Sequence, residues 1–169
     1  MKSIPQATVT VPDLLADLQL DRYLVDDLVF KCNKQVVAKN DELANRTISI
    51  DFDVKENTKN KNLFLLEMKV DLNEGQELKK VAMYQIHLHL LGWFHFTAEL
   101  DANAKAKMLA TNASSMLYGV ARTVVADLTG SLGPERYILP TLNLLAVIKA
   151  KMASKQEITK APAPAVSKA

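Results

Sequence analysis

The sequence has one cysteine, Cys32, among its 169 residues. A single thiol cannot build an internal disulfide framework, which points to a reducing compartment. With no histidine near it in sequence, Cys32 reads as a structural thiol rather than a nucleophile. Charge of one sign is lacking too: 21 Lys and Arg against 19 Asp and Glu leave a formal charge of +2. No strong field argues for nucleic acid or an anionic membrane surface as a partner. The densest apolar window, residues 86–96, is interrupted by His87, His89 and His95 and is too short to span a bilayer. No targeting segment is visible before Pro12, so the expected location is cytoplasmic, without membrane insertion. The chain has no Gly-rich phosphate loop, no Gly-x-Ser-x-Gly elbow and no Walker lysine. Nothing favours an enzyme, no catalytic residue is assigned and no cofactor is expected.

About half of the chain is hydrophobic (49%), enough for one domain with a substantial core. Residues 1–17, with two prolines, suit an arm. A single domain over 18–157 follows, and 158–169, rich in Ala, Pro and Lys, is expected to be a disordered tail. Leu18 to Lys31 reads as a first strand whose alternation changes phase near Tyr23, as a bulge would produce. Polar residues 33–45 read as a crossover loop. Ile48, Ile50, Phe52 and Val54 then alternate with polar residues in a second strand. A third, Leu63 to Leu72, buries Phe64, Leu66, Met68, Val70 and Leu72, and Gly75 is expected to supply positive φ in the turn after it. The fourth, from Val81, points Tyr84, Ile86, Leu88 and Leu90 inward, and Gly92 is expected to break its pattern.

Asp101 is placed as the N-cap of a short basic helix, Ala102 to Ala110. Residues 113, 116, 117, 120, 124 and 128 then form an apolar stripe at helical spacing, with Gly130 as a left-handed C-terminal cap. Gly119 inside this helix costs about 1 kcal/mol relative to alanine and suggests a closely packed backbone. From Thr141, Leu144, Leu145, Ile148 and Met152 line one face of a final helix. The expected class is α+β: a four-stranded antiparallel sheet with a long helix and a shorter C-terminal helix packed on one face.

His87 and His89 share a strand face, as two metal ligands would, but no third ligand lies nearby in sequence and no metal is expected. Asp26-Asp27 and Asp51/Asp53 read as the wet faces of strands. The apolar surplus of Tyr84, Trp93, Phe94, Phe96, Leu139, Leu142 and Leu144 exceeds what one sheet-plus-helix layer needs. It fits core and oligomer packing, or a groove for extended apolar segments. A small apolar-ligand binder or isomerase using Tyr84 or a histidine is a further reading.

Leu20-Asp21-Arg22-Tyr23, Asp27-Leu28-Val29-Phe30, Gly92-Trp93-Phe94, Met116 to Arg122 and Pro140-Thr141-Leu142-Asn143-Leu144 together resemble the SecB protein-export chaperones, in the same order, over about 18–152. The resemblance implies a cytoplasmic, ATP-independent holdase assembled as a dimer of dimers. Such a protein keeps unfolded or presecretory polypeptides translocation-competent and delivers them to the SecA motor. It implies a client groove lined by Tyr84, Trp93, Phe94, Leu142 and Leu144, and a subunit interface around Tyr118, Gly119 and Arg122. Asp27 matches a position of the acidic face that would meet SecA. Lys31, Gln85 and His87 stand where that face would be acidic or apolar, so SecA docking is expected to be weak. A narrower reading is a client-specific chaperone of a toxin–antitoxin system.

Overall fold

The computed structural model describes residues 16–33, 47–74 and 83–148. The N-terminal arm up to residue 15, most of the crossover loop, Gly75, Met152 and the expected tail lie outside the described residues.

Four strands, β1 (Leu18–Cys32), β2 (Ile48–Glu56), β3 (Leu63–Leu72) and β4 (Tyr84–Phe96), form one antiparallel sheet in the order β1-β4-β3-β2. The connection from β1 to β2 therefore joins opposite edges. One face of β3 and β4 is almost wholly sealed: Phe64, Leu66, Met68, Val70 and Leu72 meet Ile86, Leu88, Leu90, Phe94 and Phe96 there. Each large side chain so buried contributes roughly 1.5–3 kcal/mol. The edge strands are covered less. The inward residues of β2 are half-buried, and β1 exposes Tyr23, Leu24, Leu28 and Val29.

The phase change expected in β1 is present twice. Its register against β4 slips between Leu20 and Arg22 and again between Val25 and Asp27. The pattern of β4, by contrast, does not break at Gly92. The strand continues to Phe96 with its alternation intact. Gly92 is there for clearance: a Cβ would lie 2.8 Å from Phe94 Cε2 and 3.1 Å from Leu117 Cδ1, so the missing side chain lets the helix come down onto the sheet. At the end of β3 the left-handed residue is Asn73, at φ 55°. Its side chain accepts from Thr47 N (3.2 Å) and donates to Tyr84 O (2.8 Å), closing the sheet at that corner.

The helical layer begins where Asp101 Oδ1 accepts from Ala104 N at 2.9 Å. Helix α1 (Ala102–Met108) runs through a π-helical turn (Leu109–Ala113) into α2 (Ser114–Leu132) without a break. Ser114 Oγ reaches Leu109 O across the widened turn at 3.3 Å. Two expectations are corrected. The helix does not end at Gly130; it runs to Leu132 and is capped by Gly133 in extended conformation, whose N–H bonds Thr129 O. A Cβ at Gly133 would meet the Tyr84 hydroxyl and lie 2.8 Å from Thr129 O, so a side chain has no room where the chain turns away. The buried stripe is also rotated from the expected one. Ala113, Ser114, Leu117, Tyr118, Ala121, Val125, Ala126 and Thr129 face the core, while Val120, Val124 and Leu128 sit at its margin and Met116 is exposed. Small residues let the backbone approach the sheet, and the larger ones flank the contact.

After Gly133 the chain runs back along α2. Tyr118 Oη donates to Pro140 O (2.8 Å), Arg122 Nε to Leu139 O (2.9 Å), and Leu139 is fully buried. Asn143 Oδ1 accepts from Ala146 N at 3.2 Å and starts α3, helical from residue 144 to the end of the described chain at 148. Leu144 and Ile148 are buried there, but Leu145, placed on the same face from sequence, is exposed: it follows Leu144 by one position, about 100° around the helix.

Candidate functional site

The inward side chains of β2 extend past the cover that α2 provides. Phe52 and Val54 point toward α1, whose sequence Ala-Asn-Ala-Lys-Ala-Lys-Met puts Ala102, Ala106 and the single long side chain of Lys105 on the facing wall. Large apolar residues on one wall and alanines on the other leave a groove of about 630 Å³. Phe52, Val54, Phe64, Leu100, Leu109 and Ala106 form its apolar lining, and Glu56, Lys61 and Lys105 carry its charge. The π turn contributes directly, since Leu109 and Ala110 are both in the wall. Such a volume takes one or two large side chains and a short length of backbone, in the size range of ligand clefts.

The five residues expected to line a common groove do not converge. Tyr84 and Phe94 are buried beneath the helical layer. Trp93 alternates to the opposite face of β4, where Arg22 lies over its ring at 4.3 Å from the centroid. Tyr84 is a structural residue: its hydroxyl donates to Glu135 O and accepts from Glu135 N (3.1 Å), and its ring packs near Phe30 and Tyr137. Leu144 is buried and Leu142 half-buried, both against the core. The groove between β2 and α1 was missed because its signal is a deficit of bulk in α1. Of the residues expected at a subunit contact, Tyr118 and Arg122 hold the returning linker. Gly119 alone of the three is exposed, with nothing within 4 Å of where a Cβ would stand.

The opposite face of the sheet holds all three histidines, each beside a carboxylate. His87 Nδ1 is 2.5 Å from Asp71 and its Nε2 is 3.8 Å from Asp27; His89 Nδ1 is 2.9 Å from Asp26; His95 Nδ1 is 2.6 Å from Asp21. His89 Nε2 is buried without a hydrogen-bond partner. Among the described residues no group of three His, Cys, Asp or Glu is arranged to hold a metal ion. Asp27 is exposed on this face, where Lys31 pairs in register with Gln85 and Val29 with His87. Among the described residues no helix is long and apolar enough to cross a membrane.

This architecture has relatives. The Mycobacterium tuberculosis Rv1957 SecB-like chaperone, solved in complex with a ChAD peptide from the HigA1 antitoxin, superposes with a TM-score of 0.52 at 17% identity, over 75% of this chain and 91% of that one. A Streptococcus agalactiae protein of unknown function gives a TM-score of 0.45 at 8% identity, over 73% and 97% of the two chains. An uncharacterised protein of Methanocaldococcus jannaschii is 24% identical over 143 residues, 84% of this chain and 89% of its own length. The family model for SecB, the preprotein translocase subunit, matches residues 13–155. With that match spanning most of the sequence, and a four-stranded antiparallel sheet carrying a long helix and a short one, this chain belongs to the SecB family.

Proposed function

We propose that this protein is an ATP-independent holdase that binds unfolded or presecretory polypeptides and keeps them translocation-competent. Membership of the SecB family supports a chaperone role. The observation that carries the finer reading is the open apolar groove between β2 and α1, walled by Phe52, Val54, Phe64 and Leu109. It presents apolar surface without a set of convergent polar groups, so it suits many extended segments rather than one ligand shape. A catalytic pocket would need such groups, and among the described residues the groove wall offers only Glu56, Lys61 and Lys105, which favours a binding protein over an isomerase.

We further propose a dimer of dimers working in the cytoplasm. The exposed apolar residues of β1, with Met116 and the half-buried Val120 and Val124 of α2, would find cover in such an assembly. Docking to SecA is expected to be weak, because Lys31, Gln85 and His87 interrupt the acidity around Asp27. A client-specific role in a toxin–antitoxin system is the second reading, favoured by the antitoxin peptide held by the Mycobacterium relative.

The deciding experiment dilutes several unrelated denatured proteins with and without this chain and follows light scattering, alongside its mass in solution. Suppression across clients at stoichiometric amounts supports the general holdase. Suppression for one genomic neighbour's product alone supports the specific one. No suppression together with a monomeric mass removes both.

A further inference from the structure

Lys105 is the half-buried cation of the groove. Its Nζ donates to the neutral Asn62 Oδ1 at 2.7 Å and lies 5.7 Å from the centre of the Phe96 ring. Among the described residues no carboxylate lies within ion-pair distance of it, whereas the exposed Lys55 has Glu67 at 2.6 Å. An ammonium group has three donors and loses hydration as it is covered, so an anionic acceptor beside it is favoured. Lys61 adds a second positive charge to the wall, and among the described residues Glu56 is the one acid lining it. The mouth is therefore net positive while its floor is apolar.

We infer that the groove selects extended segments in which an Asp or Glu flanks large apolar residues. The apolar side chains occupy the space between Phe52, Phe64 and Leu109, and the carboxylate meets Lys105 at the rim. This deepens the holdase reading and rests on it: Lys105 acts as a specificity residue of the proposed client site. An acid in the client gives the ammonium an anionic acceptor, and a basic residue in its place meets Lys61 and Lys105 as like charges.

The test uses three fluorescent nonapeptides with one apolar core, flanked by Glu, Gln or Lys, titrated into the full-length protein and into Lys105→Met, Lys105→Glu and Phe52→Ser. The wild type is expected to bind the Glu peptide ~3- to 10-fold more tightly than the Lys peptide, as a partly desolvated ion pair allows. Lys105→Met should shrink that preference and Lys105→Glu reverse it, with unchanged circular dichroism. Equal binding of all three peptides, lost in Phe52→Ser, would overturn the charge selection and leave the groove as client site. Binding untouched by Phe52→Ser would instead remove the groove from client binding. Laurate displacing the Glu peptide, with no preference among peptides, would assign the Lys105 site to a small amphiphile and also overturn the inference.

Discussion

Asp26 stands 2.9 Å from His89 across the β1–β4 ladder, and it occupies the second register slip of β1. Asp21 holds the same relationship to His95, at 2.6 Å, in the first slip. An extra residue in one strand breaks the period of two, so neighbouring side chains share a face. Both insertions in β1 are aspartates, and both face a histidine of β4. Asp26→Ala should cost only about 0.5–1 kcal/mol, because the pair is partly exposed. Deleting Asp26 should also be tolerated, since Val25 opposite Leu90 and Asp27 opposite His89 would then follow each other in an unbroken ladder with the same faces inward. Urea unfolding checks both variants; a deletion that unfolds the protein would refute the reading of Asp26 as an inserted residue.

Gly133 and Gly92 are sites of clearance of different kinds. An alanine at Gly133 meets the Tyr84 hydroxyl and backbone Thr129 O, neither of which has room to retreat. At Gly92 the obstacles are the ends of the Phe94 and Leu117 side chains. Gly92→Ala is expected to cost about 1–3 kcal/mol and Gly133→Ala more, read as thermal or denaturant midpoints. The reverse order would contradict the packing described.

At Gly119 the expectation changes sign. Open space surrounds the absent Cβ, so Gly119→Ala should stabilise the protomer by about 0.5–1 kcal/mol through helix propensity. Gly119→Leu should keep the fold yet lower the mass in solution, if this surface meets another subunit. A destabilised Gly119→Ala protomer would show that something covers the site.

Burial raises the Tyr118 hydroxyl from 10.0 to about 12, with Arg122 opposing and Tyr137 adding to the shift. The folded state then holds this proton more tightly than the unfolded chain. Its contribution to stability is complete below about pH 10 and is lost as pH rises toward 12. An absorbance titration at 295 nm should contain a late step that Tyr118→Phe removes. Four tyrosines titrating together near their ordinary value would exclude it.

Alternation carried the central strands: the inward sets of β3 and β4 could be read residue by residue, because burial on one face imposes a period of two. Three features resisted for physical reasons. Gly92 reads as a breaker, yet its role is to admit Leu117, a contact invisible without the third dimension. The helix stripe was misplaced because hydropathy ranks Met116, Val120 and Val124 above Ser114, Ala121 and Ala126, whereas closeness to the sheet favours the small residues. The groove escaped because Phe52 and Val54 look like ordinary core until the alanines facing them are placed. Family likeness led to Tyr84 and Phe94, which serve packing here, and to Trp93, which lies on the other face.

The π turn at Leu109–Ala113 sets the relative azimuth of the helix on its two sides. One residue more or less in a helix rotates everything before it by about 100°. The insertion therefore acts as an angular offset between two halves of a single rod. Beyond it, α2 keeps its phase because the sheet and the linker grip it. Before it, α1 takes whatever azimuth the offset dictates, and in this chain that azimuth brings Lys105 to the groove and Leu109 beneath it. Shortening the turn by one residue would swing Lys105 away from the rim and would also move the buried Leu109 against the sheet.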